Sequence, residues 1–376
     1  MADQLADLRA LVGSLVADQA GDWDRAGVIP AEVISKAGAA GVLCAQVPAA
    51  HGGPGLSSAE NGELTAYAGS LCSSFRSLMT SHGMAAWTIS RLGDAEQRDE
   101  FLSRLTSGEL AAVAFSEPGA GSDLSAMDTR IARDGGDVTV SGEKRWVTGA
   151  AYADMVLVFG RFGAGAAAVL VPVDSPGVTV TRVSDPLGCR AAGHADVRLD
   201  DVRLPASHLL RGAGQPLSLL VTTALTYGRI SVAWGCVGII RACLAASAGH
   251  AATRRQFGEP IGRHQLVARH LAEQYVTEQA ATQLCAHASS AWDANSPELV
   301  TAAVVAKHQA AGGAARASAS AVQVLASAGA QDGHVVARAH RDAKLMEIIE
   351  GTNEICQLVL ADHVLATAGI AKVAQL

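Results

Sequence analysis

Near the C-terminus, residues 346–355 read MEIIEGTNEI and place one carboxylate, Glu350, between an apolar stretch and a glycine. Apolar residues recur at i, i+3 and i+4 on both sides of this motif, which predicts two packed helical segments. We expect Gly351 to end the first segment and Thr352 to cap the second. A helix end and apolar surroundings both raise the pKa of a carboxyl group, as a general base requires. Taken alone, the segment is more typical of a surface glutamate beside an ordinary helix break.

The bulk composition is typical of a globular protein with two or three domains. The chain has 376 residues, of which 49% are hydrophobic and 17% are charged. A net charge of -7 argues against nucleic acid or an anionic membrane as a partner. We expect no membrane span, because no apolar run looks long enough, and no secretory signal, because no basic and then apolar leader is visible. The expected location is the cytoplasm.

The cysteines and histidines do not form metal-binding or disulfide patterns. Seven cysteines are scattered without a C-x-x-C pair, and the twelve histidines include no H-E-x-x-H spacing. Cys236 and Cys243 lie among apolar residues, where packing is the expected role. We therefore predict neither a metal site nor a disulfide framework.

Hydrophobic periodicity divides the chain into three regions and predicts an α+β fold. Residues 1–110 are helical, residues 111–214 change to a period of two, and residues 215–376 return to long helices suited to a four-helix bundle. Four short strands are predicted in the middle region, at 137–141, 155–159, 168–171 and 178–181. They are typical of a small antiparallel barrel or sandwich. No G-x-G-x-x-G follows a strand, so a Rossmann site is not expected.

Two motifs in the middle region could bind a cofactor. Residues 115–123 read FSEPGAGSD, and the glycines let successive backbone N–H groups point at one anion, although a plain turn has the same composition. Further along, Trp146 and Thr148 would face the same side of a strand and place an aromatic ring beside a hydroxyl.

A fourth motif follows the first long C-terminal helix. Arg254 and Arg255 could bind a pyrophosphate bidentately, although arginines at a helix end more commonly form a solvated cap. In this order and spacing, the four motifs resemble those of the acyl-CoA dehydrogenase family. The resemblance covers nearly the whole chain, from a helix at 29–30 and a loop at 52–53 to the motif at 350–352.

The resemblance implies a helical N-terminal domain, a β-barrel or sandwich middle domain and a C-terminal four-helix bundle. It also implies an FAD that lies between the β domain and the bundle and is completed by a neighbouring subunit of a homodimer or homotetramer. Positions that match the family's flavin contacts are Phe115, Ser116, Gly121, Ser122, Trp146, Thr148, Arg254, Phe257, His264, Gln265, Gln323, Thr352 and Glu354. Positions that match substrate contacts are Ser122, Arg229 and Gly351.

The resemblance assigns the catalytic base to Glu350. In the family reaction the base takes the α-proton of an acyl thioester while hydride leaves the β-carbon for flavin N5. Some members carry the base just before the arginine that corresponds to Arg229, but Gly228 occupies that position here. Glu350 is then the only carboxylate in either position, and Glu347 is expected to be structural.

Several positions depart from the usual family pattern. Thr226 replaces an Asp or Asn that helps to hold the pantetheine arm, and Ala326-Ser327 replace a glycine pair. The stretches 189–196 and 229–236 resemble dehydrogenases of polyketide pathways that make hydroxymalonyl or methoxymalonyl extender units on carrier proteins. That resemblance implies a glyceryl-type thioester oxidised at C3. Candidates for binding a polar acyl group, which must be hydrogen-bonded when buried, are Arg190, His194 and Arg229.

The predicted function is therefore an FAD-dependent acyl-thioester dehydrogenase that acts on a short polar group carried by an acyl carrier protein, with an unidentified electron acceptor. Three alternatives stay open. The first is a dehydrogenase of short-chain or branched acyl-CoA catabolism, and the second is a flavin oxidase or monooxygenase on the same scaffold. The third is a helical interaction module that has lost its flavin.

Overall fold

The computed structural model describes residues 2–370, and its helices and strands occur in three successive blocks. Helices extend to Thr106, seven strands lie between Ala111 and Pro205, and helices return at Leu217. This order confirms the predicted α+β class, with the β domain inserted between two helical domains.

The N-terminal block contains six helices. They are α1 (Ala2–Val16), α2 (Ala20–Ala26), α3 (Ala31–Ala39), α4 (Ser58–Leu71), α5 (Ser73–Leu92) and α6 (Ala95–Thr106). Local sequence explains where several begin: α3 follows Pro30, and α4 begins with a capping box between Ser57 and Glu60. Helix α5 is buried over most of its length, so it carries its side chains into the centre of the molecule.

The middle block is one seven-stranded sheet. Its strands are β1 (Ala111–Ala114), β2 (Arg130–Asp134), β3 (Asp137–Val147), β4 (Met155–Phe162), β5 (Gly165–Pro172), β6 (Val178–Arg182) and β7 (Ala195–Pro205). The four predicted strands are confirmed within β3, β4, β5 and β6. The strand order is β1-β4-β2-β3-β7-β6, with β5 paired to β4. The expected antiparallel pairing was wrong for β4, which pairs in parallel with β1 and β2, because long connections rather than hairpins join these strands.

The C-terminal block contains five helices and one small hairpin. They are α7 (Leu217–Thr253), the hairpin β8 (Arg255–Gln256) and β9 (Glu259–Pro260), α8 (Gln265–Asp293), α9 (Leu299–Leu325), α10 (Val335–Met346) and α11 (Asn353–Thr367). Helix α7 packs against α4, α5, α8, α9 and α10 and is the central helix of the protein. All seven cysteines are buried free thiols, including Cys236 and Cys243, for which packing was the expected role.

By length and composition alone, helix α7 is apolar enough to cross a membrane, since it contains a window whose mean hydropathy is 1.7. Within that window 72% of the residues are buried inside the protein, so packing in the core accounts for its apolar character.

Candidate active site

Glu350 lies in the turn between α10 and α11. Helix α10 ends at Met346, so the prediction that the helical segment extends to Gly351 was wrong by one turn. The backbone enters the left-handed region at both Glu350 (φ 56°) and Gly351 (φ 90°), which a helix cannot accommodate. A glutamate in this backbone region is uncommon. Such residues persist where surrounding contacts fix the backbone, and they are frequent at functional sites. The Thr352 cap is confirmed, since its hydroxyl accepts a hydrogen bond from the Ile355 N–H at 3.2 Å.

Two buried cations hold the carbonyl groups of this turn. Arg229 of α7 donates from Nε to the Glu350 carbonyl at 3.1 Å, and Lys307 of α9 donates from Nζ to the Gly351 carbonyl at 2.7 Å. Burial lowers the pKa of both cations, while the nearby Glu350 carboxyl acts in the opposite direction. The bonds tie the turn to two helices of the bundle, and the sequence reading missed Lys307 because its partner is distant in the chain.

The Glu350 carboxyl group is enclosed without a hydrogen-bond partner. Part of the residue is accessible, but Oε2 is buried and unpaired among the residues that the structure describes. It packs directly against Gly228 of α7, where a Cβ atom would overlap Oε2. Gly228 supplies no carboxylate at the position where some relatives carry the base. Because it also has no Cβ atom, it leaves the space that the Glu350 carboxyl group occupies.

The electrostatic surroundings place the Glu350 carboxyl in the range of a general base. Burial raises its pKa to about 7, and the charges of Arg229, Lys307 and Arg76 oppose that increase. Helix α10 ends at Met346, four residues before Glu350. A carboxyl group with such a pKa can exchange a proton near neutral pH.

The glycine-rich loop at 115–123 is open on its outer side. A Cβ atom at Gly119 or Gly121 would meet nothing within 4 Å, so the backbone there is free to approach a ligand. The base of the loop is fixed by Lys144, which donates to Glu117 at 2.7 Å and to the Phe115 carbonyl at 3.1 Å. Lys144 is fully buried, and burial lowers its pKa to about 8. The sequence reading missed this residue, although a lysine inside a strand pattern was an available signal.

Trp146 and Thr148 both contact His194, but the alternation of side chains along a strand, which we predicted, is not what brings them together. Trp146 lies in a β-bulge with φ 56°, and Thr148 follows the end of β3, so simple strand alternation was wrong here. Both contact His194: Thr148 Oγ1 lies 3.2 Å from Nδ1, and the Trp146 ring lies 5.6 Å from the imidazole. Burial lowers the pKa of His194 to about 4, and its Nε2 has no partner among residues 2–370.

This surface fits a planar aromatic group with a charged tail. The Trp146 side chain is 52% exposed, which is unusual for so large an apolar ring unless a ligand covers it. The neighbouring glycine loop offers open backbone for phosphate oxygens. The arrangement is therefore compatible with the flavin and pyrophosphate of FAD.

Most of the remaining candidate cofactor residues lie on exposed parts of the bundle. Arg254 follows the end of α7, and Phe257 is 95% exposed at the tip of the hairpin, edge-on to His264 at 5.8 Å. Gln265 begins α8, and the exposed Gln323 lies on α9. Glu354 is exposed in the first turn of α11, and Ser122 is exposed on the glycine-rich loop.

Arg190, a candidate for binding a polar acyl group, is engaged elsewhere. Its guanidinium lies 3.9 Å from Asp24 and 3.6 Å from Asp332, and Arg341 joins the same ion-pair network. These contacts connect the loop before β7 with α2 and the start of α10. They favour a structural role for Arg190.

Taken together, the three-block fold, the buried carboxyl group of Glu350 and the exposed aromatic ring of Trp146 are compatible with a flavin-dependent dehydrogenase. The chain belongs to the acyl-CoA dehydrogenase family. Its three blocks match, in order, the N-terminal domain of that family over residues 4–109, the middle domain over 112–202 and the C-terminal domain over 219–365. The chain is accordingly an FAD-dependent oxidoreductase.

Individual relatives agree with this assignment. The chain is 34% identical to a probable acyl-CoA dehydrogenase, YngJ, of Bacillus subtilis, over 93% of this chain and 94% of that protein. It is 31% identical to the human mitochondrial short-chain specific acyl-CoA dehydrogenase, over 91% of this chain and 84% of that protein. Among solved structures, it superposes on FkbI for biosynthesis of the methoxymalonyl extender unit of the Fk520 polyketide with a TM-score of 0.92 and 58% identity, covering 95% and 99% of the two chains.

Proposed function

We propose that the enzyme oxidises a short, oxygen-bearing acyl thioester carried by an acyl carrier protein, with Glu350 as the catalytic base. The observation that carries the chemical part of the proposal is the enclosed, unpaired Oε2 of Glu350, whose pKa is about 7. The main support for the substrate class is the 58% identity to FkbI, which serves biosynthesis of a methoxymalonyl extender unit.

The proposed reaction begins when Glu350 is deprotonated. Its Oε2 takes the α-proton of the thioester, and the positive charges of Arg229 and Lys307 stabilise the enolate that develops beside it. Bound FAD supplies the acceptor for the hydride that leaves C3. For a glyceryl-type group, loss of this proton and hydride gives an enol that tautomerises to an aldehyde at C3.

We propose that the cofactor lies across the glycine-rich loop and the bulge of β3. Phe115, Ser116, Gly121 and Ser122 would hold the pyrimidine side and the pyrophosphate, while Trp146 and Thr148 would cover the ring system. The exposed residues Arg254, Phe257, His264, Gln265 and Gln323 would contact the FAD of a second copy, in a homodimer or homotetramer, and Thr352 and Glu354 would complete the site. Covering Phe257 in this way would remove a large apolar side chain from water.

Thr226 uses its hydroxyl hydrogen within α7 and does not offer it to a pantetheine arm. Its hydroxyl is buried and donates to the Thr222 carbonyl at 2.7 Å, so it is already satisfied within α7. At the end of α9, Ala326 keeps a left-handed backbone (φ 52°) of the kind that favours the glycine of related enzymes. Thr226 and Ala326 thus leave the backbone of the family fold unchanged, but their side chains differ from those that the family usually has at these positions.

A short-chain acyl-CoA dehydrogenase is the second candidate, supported by 31% identity to the human enzyme of that specificity. An electron-transferring flavoprotein is the typical acceptor in this family, and we propose it as the acceptor here. Both dehydrogenase assignments predict slow reaction of the reduced enzyme with oxygen. Rapid reoxidation by oxygen would instead support an oxidase.

Anaerobic bleaching of the flavin absorbance tests the proposal. The purified enzyme is mixed with glyceryl and butyryl groups, each attached in turn to CoA and to an acyl carrier protein. We expect the glyceryl carrier-protein thioester to bleach the flavin fastest. Faster bleaching by butyryl-CoA would favour the second candidate, and no bleaching by any of the four would contradict both.

A further inference from the structure

His194 is a buried histidine whose side chain has one hydrogen-bond partner among residues 2–370. The residue is 7% exposed, and its Nδ1 lies 3.2 Å from Thr148 Oγ1. The other ring nitrogen, Nε2, is buried and has no partner in the described part of the chain. A buried polar atom without a partner costs free energy, so a histidine retained in this setting calls for an explanation.

Backbone hydrogen bonds fix the two loops that bring His194 and Thr148 together. The Thr148 carbonyl accepts a hydrogen bond from Ser81 Oγ of α5 at 2.9 Å. The Gly149 N–H, one residue further on, donates to the Ala192 carbonyl in the loop that carries His194 at 3.0 Å. The imidazole and the hydroxyl therefore meet across a connection that the backbone already holds.

Gly193 sets the direction in which the chain enters His194. Its backbone is left-handed (φ 66°), and a Cβ atom there would lie 2.4 Å from Cε2 of the Tyr152 ring. Tyr152 is itself held in place, because its hydroxyl donates to the Ala191 carbonyl at 2.9 Å. The position of the imidazole thus follows from a tightly packed turn.

The imidazole of His194 is neutral near pH 7. Burial lowers its pKa to about 4, and the charges of Arg182 and Arg76 act in the same direction. A neutral imidazole carries a single N–H. On Nε2 this hydrogen would be a buried donor without an acceptor among residues 2–370, whereas on Nδ1 it has Thr148 Oγ1 as its acceptor. The surroundings therefore favour the tautomer in which Nδ1–H donates to Thr148.

A Thr148 hydroxyl that accepts from His194 keeps its own hydrogen for another partner. Accepting one hydrogen bond also polarises the O–H and strengthens the bond that it donates. Thr148 is partly exposed, and the half-exposed Trp146 ring lies 5.6 Å from the same imidazole. The free hydrogen is thus next to the surface on which we place the isoalloxazine ring, whose edges carry carbonyl oxygens and unprotonated nitrogens as acceptors.

We propose that His194 is a positioning residue for the cofactor: its Nδ1–H holds the Thr148 hydroxyl so that this hydroxyl donates to an acceptor on the edge of the isoalloxazine ring. The inference rests on the proposed function, because it requires the ring system of FAD beside Thr148. Electron density at the ring acceptors increases on reduction, so a donor directed at them favours the reduced cofactor. This role differs from binding of the acyl group, for which the sequence made His194 a candidate.

The reduction potential of the bound flavin, measured against a reference dye without any thioester, tests the proposal in a double-mutant cycle. Thr148→Val keeps the shape of the side chain and removes the hydroxyl. We expect it to lower the ratio of reduced to oxidised flavin about tenfold at a fixed dye potential, which is about 30 mV for a two-electron couple. His194→Phe should lower the ratio about threefold to tenfold in the unmodified enzyme.

The effect of His194→Phe in the Thr148→Val background decides whether His194 acts through the hydroxyl. We expect a change of less than about twofold there, because the group that His194 positions is already absent. Equal decreases in both backgrounds would show that His194 acts independently of Thr148 and would overturn the proposal.

A conservative variant and a second buried histidine separate positioning from packing. His194→Asn places an amide N–H near the position of Nδ1 and should restore most of the potential. His82→Asn is the control, since the fully buried His82 accepts from the Ala111 N–H at 3.0 Å and should affect stability without changing the potential. A decrease in His82→Asn as large as that in His194→Phe would indicate loosened packing and overturn the proposal.

The tautomer is measured directly in the unmodified holoenzyme by NMR of nitrogen-15-labelled histidines. The His194 signals are identified by their absence in His194→Asn. We expect the hydrogen on Nδ1, and a hydrogen on Nε2 would overturn the proposal.

These measurements need no acyl thioester, so they separate the inference from the proposed reaction. Failure of every thioester to bleach the flavin would contradict the proposed substrate class, while the potentials would still report on His194. An unchanged potential in Thr148→Val would overturn both the placement of the ring beside Thr148 and the role of His194.

Discussion

Replacing Glu350 with glutamine should stabilise the protein at high pH. Burial raises the pKa of Glu350 from 4.5 to about 7, so the folded state disfavours the charged carboxylate. The associated stability is fully present below the unfolded-state pKa and is lost as the pH rises through the folded-state value. Glutamine has similar shape and no charge, and it therefore removes this penalty.

The size of the effect follows from the pKa change. At about 1.4 kcal/mol per pH unit, a rise from 4.5 to about 7 corresponds to roughly 3 kcal/mol. Because part of Glu350 is accessible to solvent, this figure is an upper limit. We expect Glu350→Gln to increase the free energy of unfolding by up to about 3 kcal/mol at pH 8.5 and by little at pH 4.5.

Urea unfolding of both proteins, with the same excess of FAD at each pH, measures this difference. Glu32→Gln is the control, because Glu32 is exposed on α3 and its replacement should give a small effect at every pH. A difference for Glu350→Gln that is independent of pH, or a variant less stable than the parent at pH 8.5, would refute the assigned environment of the carboxyl group.

Three further substitutions test how the site is held. Gly228→Ala should lower kcat at least about tenfold with normal FAD content, because the new Cβ overlaps Glu350 Oε2; an unchanged kcat would contradict this packing. Lys307→Met removes a charge that lowers the pKa of Glu350, so the acid limb of the kcat/KM profile should move to higher pH; a shift to lower pH would contradict the assignment. Lys144→Met should weaken FAD binding about tenfold by releasing the Phe115 loop, as measured by fluorescence of free flavin; unchanged affinity would exclude this role.

The local sequence predicted the strands, the Thr352 cap and the breaks between the long helices, because each depends on residues that are close together in the chain. The period-two stretches that begin at Asp137 and Met155 became β3 and β4, and the hydroxyl of Thr352 caps α11. Breaks at glycine and proline separated the long helices because those residues disrupt helical geometry wherever they occur. The family resemblance then supplied the order of the domains, which periodicity alone does not determine.

Long-range packing explains what the sequence did not predict. The bulge that turns Trp146 outwards depends on its register with β7, and the end of α10 depends on contacts from Arg229 and Lys307. No local sequence pattern indicates that Arg76 is buried against Gly235. Such features join residues that are distant in the chain, so no local pattern records them.

The most direct test of the central claim is anaerobic stopped-flow reduction of the flavin by a glyceryl carrier-protein thioester in Glu350→Gln. The variant should retain FAD and bind the thioester, since only the proton acceptor is removed. We predict that its flavin bleaches about a hundredfold to ten-thousandfold more slowly than that of the unmodified enzyme. Bleaching at the unmodified rate would show that another group takes the α-proton and would contradict the assignment of Glu350 as the base.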